Sequence, residues 1–231
     1  MVAAALAQNL ARVREDIARV QAVEGVRHDV RIVAVTKGHP PDAVRAAWVA
    51  GITDIGENRV QEALEKQASA ADVPVAWHLV GHLQTNKAKL VAQRFAWVHS
   101  VDSPKVAEAL ARAVRSHPGA PPLAVLLQVN VAGEAQKSGC DPAEAAELAA
   151  AVRGTPELLL MGLMTMAPFT DDEGVQRRTF AGLRQLRDRL RTAELTLPEL
   201  SMGMSGDYRA AVAEGATMLR LGTVLLGERV G

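Results

Sequence analysis

Short apolar runs alternate with longer helical stretches along the whole chain, and nothing else in the sequence limits its fold as tightly. Runs rich in Val, Ile and Leu stand at 31–36, 53–55, 76–80, 97–100, 124–130, 158–164, 199–201 and 218–221. Between them lie Ala/Leu/Arg segments with apolar residues three and four apart, at 41–50, 60–71, 86–93, 104–116, 142–153, 171–193 and 208–214. A leading segment, 6–23, sets Leu10, Val13, Ile17 and Val20 on one helical face. Pro41, Pro104 and Pro142 fall where a first helical turn tolerates proline. Eight strand-then-helix units after one leading helix predict an α/β fold, a single (β/α)8 TIM-type barrel with an extra N-terminal helix. With no linker-like break in composition, residues 1–231 read as one domain, its leading helix within 1–28 and its barrel over 29–231.

Charge and cysteine content narrow the function. Lys plus Arg and Asp plus Glu number 26 each, a balance that argues against a nucleic-acid binder. No stretch approaches the ~20 apolar residues that span a bilayer, and 1–10 lacks a cleavage signal. The expectation is a cytoplasmic protein with no membrane partner. Cys140 is the only cysteine, which leaves no disulfide and no multi-cysteine metal site, and it reads as a small apolar filler.

A barrel gathers its functional residues just after the strand C-termini. Those positions carry Thr36-Lys37-Gly38, Gly56-Glu57-Asn58, Gly81-His82-Leu83-Gln84, Ser100-Val101-Asp102, Asn130, Met164, Ser201 to Gly206, and Arg220-Leu221-Gly222-Thr223. Lys37 follows a run that belongs to the barrel wall, where desolvation favours the neutral amine that condenses with an aldehyde. Alone, it is better explained as a rim lysine with its head in water. The loops after strands seven and eight are the usual phosphate site of this fold, and here they supply Ser201, Gly203, Ser205, Gly206, Gly222 and Thr223. Arg220 either donates to a ring nitrogen, which it would leave unprotonated, or forms a salt bridge at a strand end. Asn58 either bonds a ligand's ring hydroxyl or caps the helix beginning near Arg59. His78 and His82 straddle a strand end without a third ligand nearby, so no metal site is read there, and His82 is placed at the rim. Lys87 and Lys89 read as solvated charges. Met161, Met164 and Met166 suit core packing.

Several blocks resemble one known family. They are Val35-Thr36-Lys37, Gly56 to Glu62, Trp77 to Lys87, Gln128-Val129-Asn130 with Lys137-Ser138-Gly139, Gly162-Leu163-Met164, Leu200 to Ser205, and Met218 to Thr223 followed by Gly227-Glu228-Arg229. In order and from about residue 30 to the C-terminus, they look like the YggS/PROSC family of pyridoxal 5′-phosphate (PLP) homeostasis proteins. The resemblance implies a barrel like the N-terminal domain of alanine racemase, with PLP as an internal aldimine on Lys37. It implies phosphate held by Ser201–Ser205 and Gly222–Thr223, and Arg220 facing the pyridine nitrogen. The expected cofactor-binding set is Lys37, Asn58, His82, Met164, Ser201, Gly203, Met204, Ser205, Arg220, Gly222 and Thr223, with no metal. Thr36 stands where the family often has Ser, and Gly206 where it often has an acid.

The same resemblance implies a cofactor carrier or buffer rather than an enzyme, with PLP-dependent apoenzymes as further partners; a single barrel without a swapped arm can stand as a monomer. A two-base racemase needs a second acid/base; in alanine racemase that group is a tyrosine in a site completed by a second domain. No second domain is read here, and the single tyrosine, Tyr208, follows the phosphate loop. A minimal PLP-dependent racemase is the alternative, with His82 as a proton shuttle. A Schiff-base aldolase acting on a phosphorylated substrate would use the same barrel, lysine and phosphate loops.

Overall fold

The predicted runs become parallel strands, each with at least one fully buried apolar side chain beneath the surrounding helices. The computed structural model describes residues 2–134 and 136–228. The strands are β1 (Arg31–Val35), β2 (Asp54–Glu57), β3 (Ala76–Leu79), β4 (Trp97–Val101), β5 (Leu123–Gln128), β6 (Leu158–Met164), β7 (Glu199–Ser201) and β8 (Met218–Leu221). Each pairs in parallel with the next, and β1 pairs with β8, so the sheet closes in sequence order. The closed eight-stranded barrel is the expected fold.

The helices are α1 (Val2–Glu24), α2 (Asp42–Val49), α3 (Val60–Ser69), α4 (Ala88–Arg94), α5 (Pro104–Arg115), α6 (Ala145–Arg153), α7 (Glu173–Leu190), α8 (Tyr208–Ala213) and α9 (Thr223–Leu226). On α1, Leu6, Leu10, Val13 and Ile17 are buried against α2, α8 and α9. Burying a side chain of that size contributes about 1.5–3 kcal/mol. Polar contacts fix the dock: Tyr208 donates to Asp16 at 2.7 Å and Arg209 at 2.5 Å, while the Asn9 amide donates to the Leu225 carbonyl at 2.9 Å.

Several boundaries differ from the sequence reading. Glu57 is the last residue of β2 and fully buried, not part of the following loop. Of the three prolines, only Pro104 opens a helix: Pro41 precedes α2, and α6 starts at Ala145. The reason at Pro142 is a separate turn, in which Asp141 accepts from the Ala143 amide and Glu144 from the Asp141 amide. The helix expected at 86–93 is a 3-10 turn, Thr85–Lys87, running into α4. The short α9, not anticipated, follows β8 at once.

The barrel interior holds both apolar and polar side chains. A small apolar cluster of Leu126, Met164 and Met218 packs with Trp97, Met161 and Met166. Among these strands, buried polar groups replace apolar ones at His78, His99, Ser201 and Arg220. Polar side chains at such positions cost free energy unless bonded, so their partners decide what they do.

Candidate functional site

Lys37 follows β1 by two residues, and the chain on both sides of it is pinned. Thr36, fully buried, donates its hydroxyl to Glu57 at 2.5 Å. The Lys66 ammonium donates to the Thr36 carbonyl and to Glu57, each at 2.6 Å, and to Glu62 at 2.8 Å. Glu62 also accepts the Gly38 amide at 2.6 Å. Glu57 and Lys66 are almost wholly out of solvent. Burial pushes the Glu57 carboxyl up, against the bonds from Lys66 and Thr36. For Glu62, burial pushes up too, but the Lys66 and Gly38 bonds outweigh it and hold the carboxyl down. Since Glu62 and Lys66 stand one helical turn apart on α3, the helix presents both to one loop.

Lys37 itself is half-buried and lines a cavity of about 150 Å³ with Val35, Asn58, Val80, Met166, Met204, Arg220, Gly222 and Thr223. Six of these come from the expected set: Lys37, Asn58, Met204, Arg220, Gly222 and Thr223. Asn58 is not a helix cap, because the residue before α3 is Arg59. It is held in place by a close backbone approach: a Cβ on Gly81 would lie 2.3 Å from the Asn58 carbonyl oxygen.

The two C-terminal loops meet beside the cavity. The Ser205 hydroxyl accepts the amides of Gly222 at 3.3 Å and Val224 at 3.2 Å, tying the β7 loop to the start of α9. Gly203 adopts φ +95°, and a Cβ there would sit 2.6 Å from the Ala211 Cβ, so only glycine fits. The Met204 amide donates to Asp207 at 2.5 Å. An acid therefore does sit in this loop, one position after Gly206.

Ser201, Gly203, Ser205, Met164 and His82 do not line the cavity with Lys37. Ser201 is fully buried, accepting from Arg220 at 2.7 Å. Met164 belongs to the small apolar cluster with Leu126 and Met218. His82 is exposed, 3.6 Å from Asp102, and lines two neighbouring grooves, one of them shared with Asn58. Arg220 also donates to the Thr165 carbonyl at 2.8 Å. Burial pulls its guanidinium down to about 10, partly offset by Asp207, so it is charged at neutral pH.

Sequence reasoning missed Val35, Val80 and Met166 as cavity walls, and Lys66 and Glu62 as the clamp on Lys37. Only the Glu62–Lys66 spacing signalled any of this. Among the described residues no group of His, Cys, Asp and Glu is placed to hold a metal ion. Cys140 is buried, and burial raises its thiol to about 11, consistent with a filler. The donor set suits a flat aromatic aldehyde bearing a phosphate. It offers an amine at one end and a fixed cation on the floor. Apolar faces at Val35, Val80 and Met166 and a glycine-and-hydroxyl loop pair complete it.

A sequence profile described as alanine racemase, N-terminal domain, matches residues 5–230. A pyridoxal phosphate homeostasis protein of Pseudomonas aeruginosa is 47% identical over 227 residues, covering 97% of this chain and 96% of its own. The protein of the same description from Escherichia coli K12 is 40% identical, covering 97% of each. Among solved structures, PipY of Synechococcus elongatus PCC7942 with PLP bound is 38% identical, with TM-score 0.85, over 96% of this chain and all of that one. An alanine racemase of Clostridium difficile 630 is 14% identical, with TM-score 0.73, and this chain covers 58% of it; that likeness is one of fold alone.

Proposed function

The chain belongs to the alanine racemase N-terminal domain family, among the pyridoxal phosphate homeostasis proteins, and on that premise we propose that Lys37 is its covalent anchor for PLP. The protein binds PLP and serves PLP homeostasis. PLP supplies an aldehyde that a primary amine captures reversibly. What this chain contributes is placement. The Lys66 clamp fixes the peptide carrying Lys37. In our reading Asn58 takes the ring hydroxyl, Arg220 takes the ring nitrogen, and Met204, Gly222 and Thr223 line the phosphate end. Ser205 and Gly203 shape that loop; Ser201 and Met164 support the floor, and His82 stands at the rim.

We read the protein as a carrier or buffer rather than a catalyst. The observation that carries this reading is the cavity lining, whose only titratable side chains are Lys37 and Arg220. A charged guanidinium does not exchange protons readily, so among the described residues of this lining none but Lys37 is suited to acid/base work. Tyr208, the single tyrosine, spends its hydroxyl on Asp16 outside the barrel. The reading extends to PLP-dependent apoenzymes as recipients and to a monomer working in the cytoplasm. No helix among the described residues is long and apolar enough to cross a membrane.

Borohydride reduction of the loaded protein followed by peptide mapping tests the anchor. The expected result is one PLP-modified peptide, containing Lys37, and loss of visible absorbance in Lys37→Ala. Label on another lysine would end the assignment. Sustained turnover of an amino acid that Lys37→Ala and His82→Ala both abolish would replace the carrier reading with a racemase-like one.

A further inference from the structure

Behind Arg220 lies a row of polar side chains that the PLP reading does not use. The Ser201 hydroxyl that accepts from Arg220 lies 2.9 Å from His99 Nδ1. His99 Nε2 lies 2.9 Å from His78 Nδ1, and His78 Nε2 lies 2.9 Å from Asp54 Oδ1. The row crosses the barrel interior from β8 and β7 through β4 and β3 to the opening residue of β2. Both imidazoles and the serine are fully buried.

Chemistry at the two ends sets the direction of every bond. Arginine can only donate, so Ser201 must accept from it, and its one hydroxyl proton is left for His99 Nδ1. An ionised carboxylate can only accept. Burial pushes the Asp54 carboxyl up, but the bonds from His78 and Thr53 and the nearby Arg31 guanidinium outweigh it and hold it below the usual range. His78 must therefore carry its proton on Nε2, which leaves Nδ1 to accept from His99 Nε2–H. In the reverse sense a lone pair of His78 would face a carboxylate oxygen. Burial also disfavours a second cation: it lowers His78, and lowers His99 well below its ordinary value with His78 and Arg220 adding to the effect. The ring planes are fixed by packing. His78 stacks on Trp97 with centroids 5.6 Å apart, and the Arg31 guanidinium lies 5.3 Å over the Trp97 ring.

We propose that His78 and His99 are positioning residues, forming a one-way hydrogen-bond relay from Arg220 to Asp54 that fixes Ser201 as an acceptor and so holds the guanidinium at the cavity floor. A core that merely needed filling would take leucine at these positions at lower desolvation cost. Two imidazoles instead span the barrel, satisfy each other's nitrogens and add no charge beside Arg220. The relay stands on the protein alone; its consequence for PLP rests on the reading above.

Nitrogen-15 NMR of the histidine side chains in the full chain tests the relay without ligand. Both rings are expected neutral and protonated on Nε2 at pH 7. A ring that is charged there, or carries its proton on Nδ1, overturns the proposal. The consequence for PLP is read from its release rate and the absorption maximum of the loaded protein. Loss of one bond to a charged group predicts release about 10-fold faster in Ser201→Ala and in His99→Leu, with a displaced maximum. His99→Asn, whose amide oxygen replaces the Nδ1 acceptor, is expected to recover most of that rate. Equal release from His99→Leu and His99→Asn would reduce the histidines to packing and sink the relay. If the expected tautomers are found in a protein that takes up no PLP, the relay stands and the PLP reading falls.

Discussion

Two buried polar networks flank the cavity, and they solve the same problem with opposite chemistry. Under Lys37, a lysine and two carboxylates fasten the backbone through full charges, and Glu57 Oε2 has no hydrogen-bond partner among the described residues. Under Arg220, neutral imidazoles and a hydroxyl fasten a side chain, with the ions only at the two ends. The first network must hold a main chain still beside a reactive amine, and one ammonium reaching three acceptors from a helix does that. The second must hold a cation where another charge would disturb it, which neutral donors and acceptors achieve. Buried polar groups thus serve position here in two forms, distinguished by how much charge each leaves buried.

The comparison can be broken hardest on the ionic side. Lys66→Met leaves Glu57 buried without its partner, and about 3–5 kcal/mol of stability should be lost at pH 7. Thermal unfolding should register this as a fall in Tm on the order of 10 °C. A loss under 1 kcal/mol would mean that Glu57 is solvated or protonated in the folded state.

The networks should also respond to acid with opposite signs. Folding lowers the pKa of His78 and His99 below the ordinary 6.5, so the unfolded chain binds more protons once pH falls below that value. Stability should then drop by up to about 1.4 kcal/mol per pH unit for each ring. Glu57 is raised above its ordinary 4.5, so its buried charge weakens the fold at neutral pH and is relieved as pH falls. Denaturant melts between pH 7 and 5 should therefore steepen in Glu57→Gln and flatten when His78 and His99 are both replaced by Leu. Parallel curves for all three proteins would erase the distinction.

The smallest effect is expected at Thr36→Val, which removes one hydroxyl from an acceptor that Lys66 still serves. About 1 kcal/mol should be lost, with PLP capture at Lys37 slowed little. A large loss of capture would move the clamp's working contact from the ammonium to the threonine.

Much of the barrel was legible because strand and helix periods are local properties. Even the three-residue run at 199–201 keeps its predicted limits as β7. Helix starts were read less well where a turn had its own hydrogen bonds, as at Asp141 and Glu144. At the site, Lys37, Asn58, Met204, Arg220, Gly222 and Thr223 were visible because strand ends of a barrel converge by construction. Ser201 and Met164 were drawn to the cavity by the same rule, although they face the interior. A strand end gives a position along the barrel axis but says little about which side chain reaches the mouth.

By itself, then, the sequence determined the alternation, the closed parallel sheet it demands, and the chemical types ringing its mouth. These follow from periodicity and from residues within a few positions of one another. Only the tertiary structure decided that Lys66 grips the carbonyl of Thr36, 30 residues away, and that His99 meets Ser201 across 102. The first arises where α3 packs back over the end of β1, the second where closure of the barrel brings β4 and β7 face to face. Along the chain, His78 and His99 were two polar residues in apolar runs. Inside the barrel their four nitrogens have four partners, and those partners give them a direction.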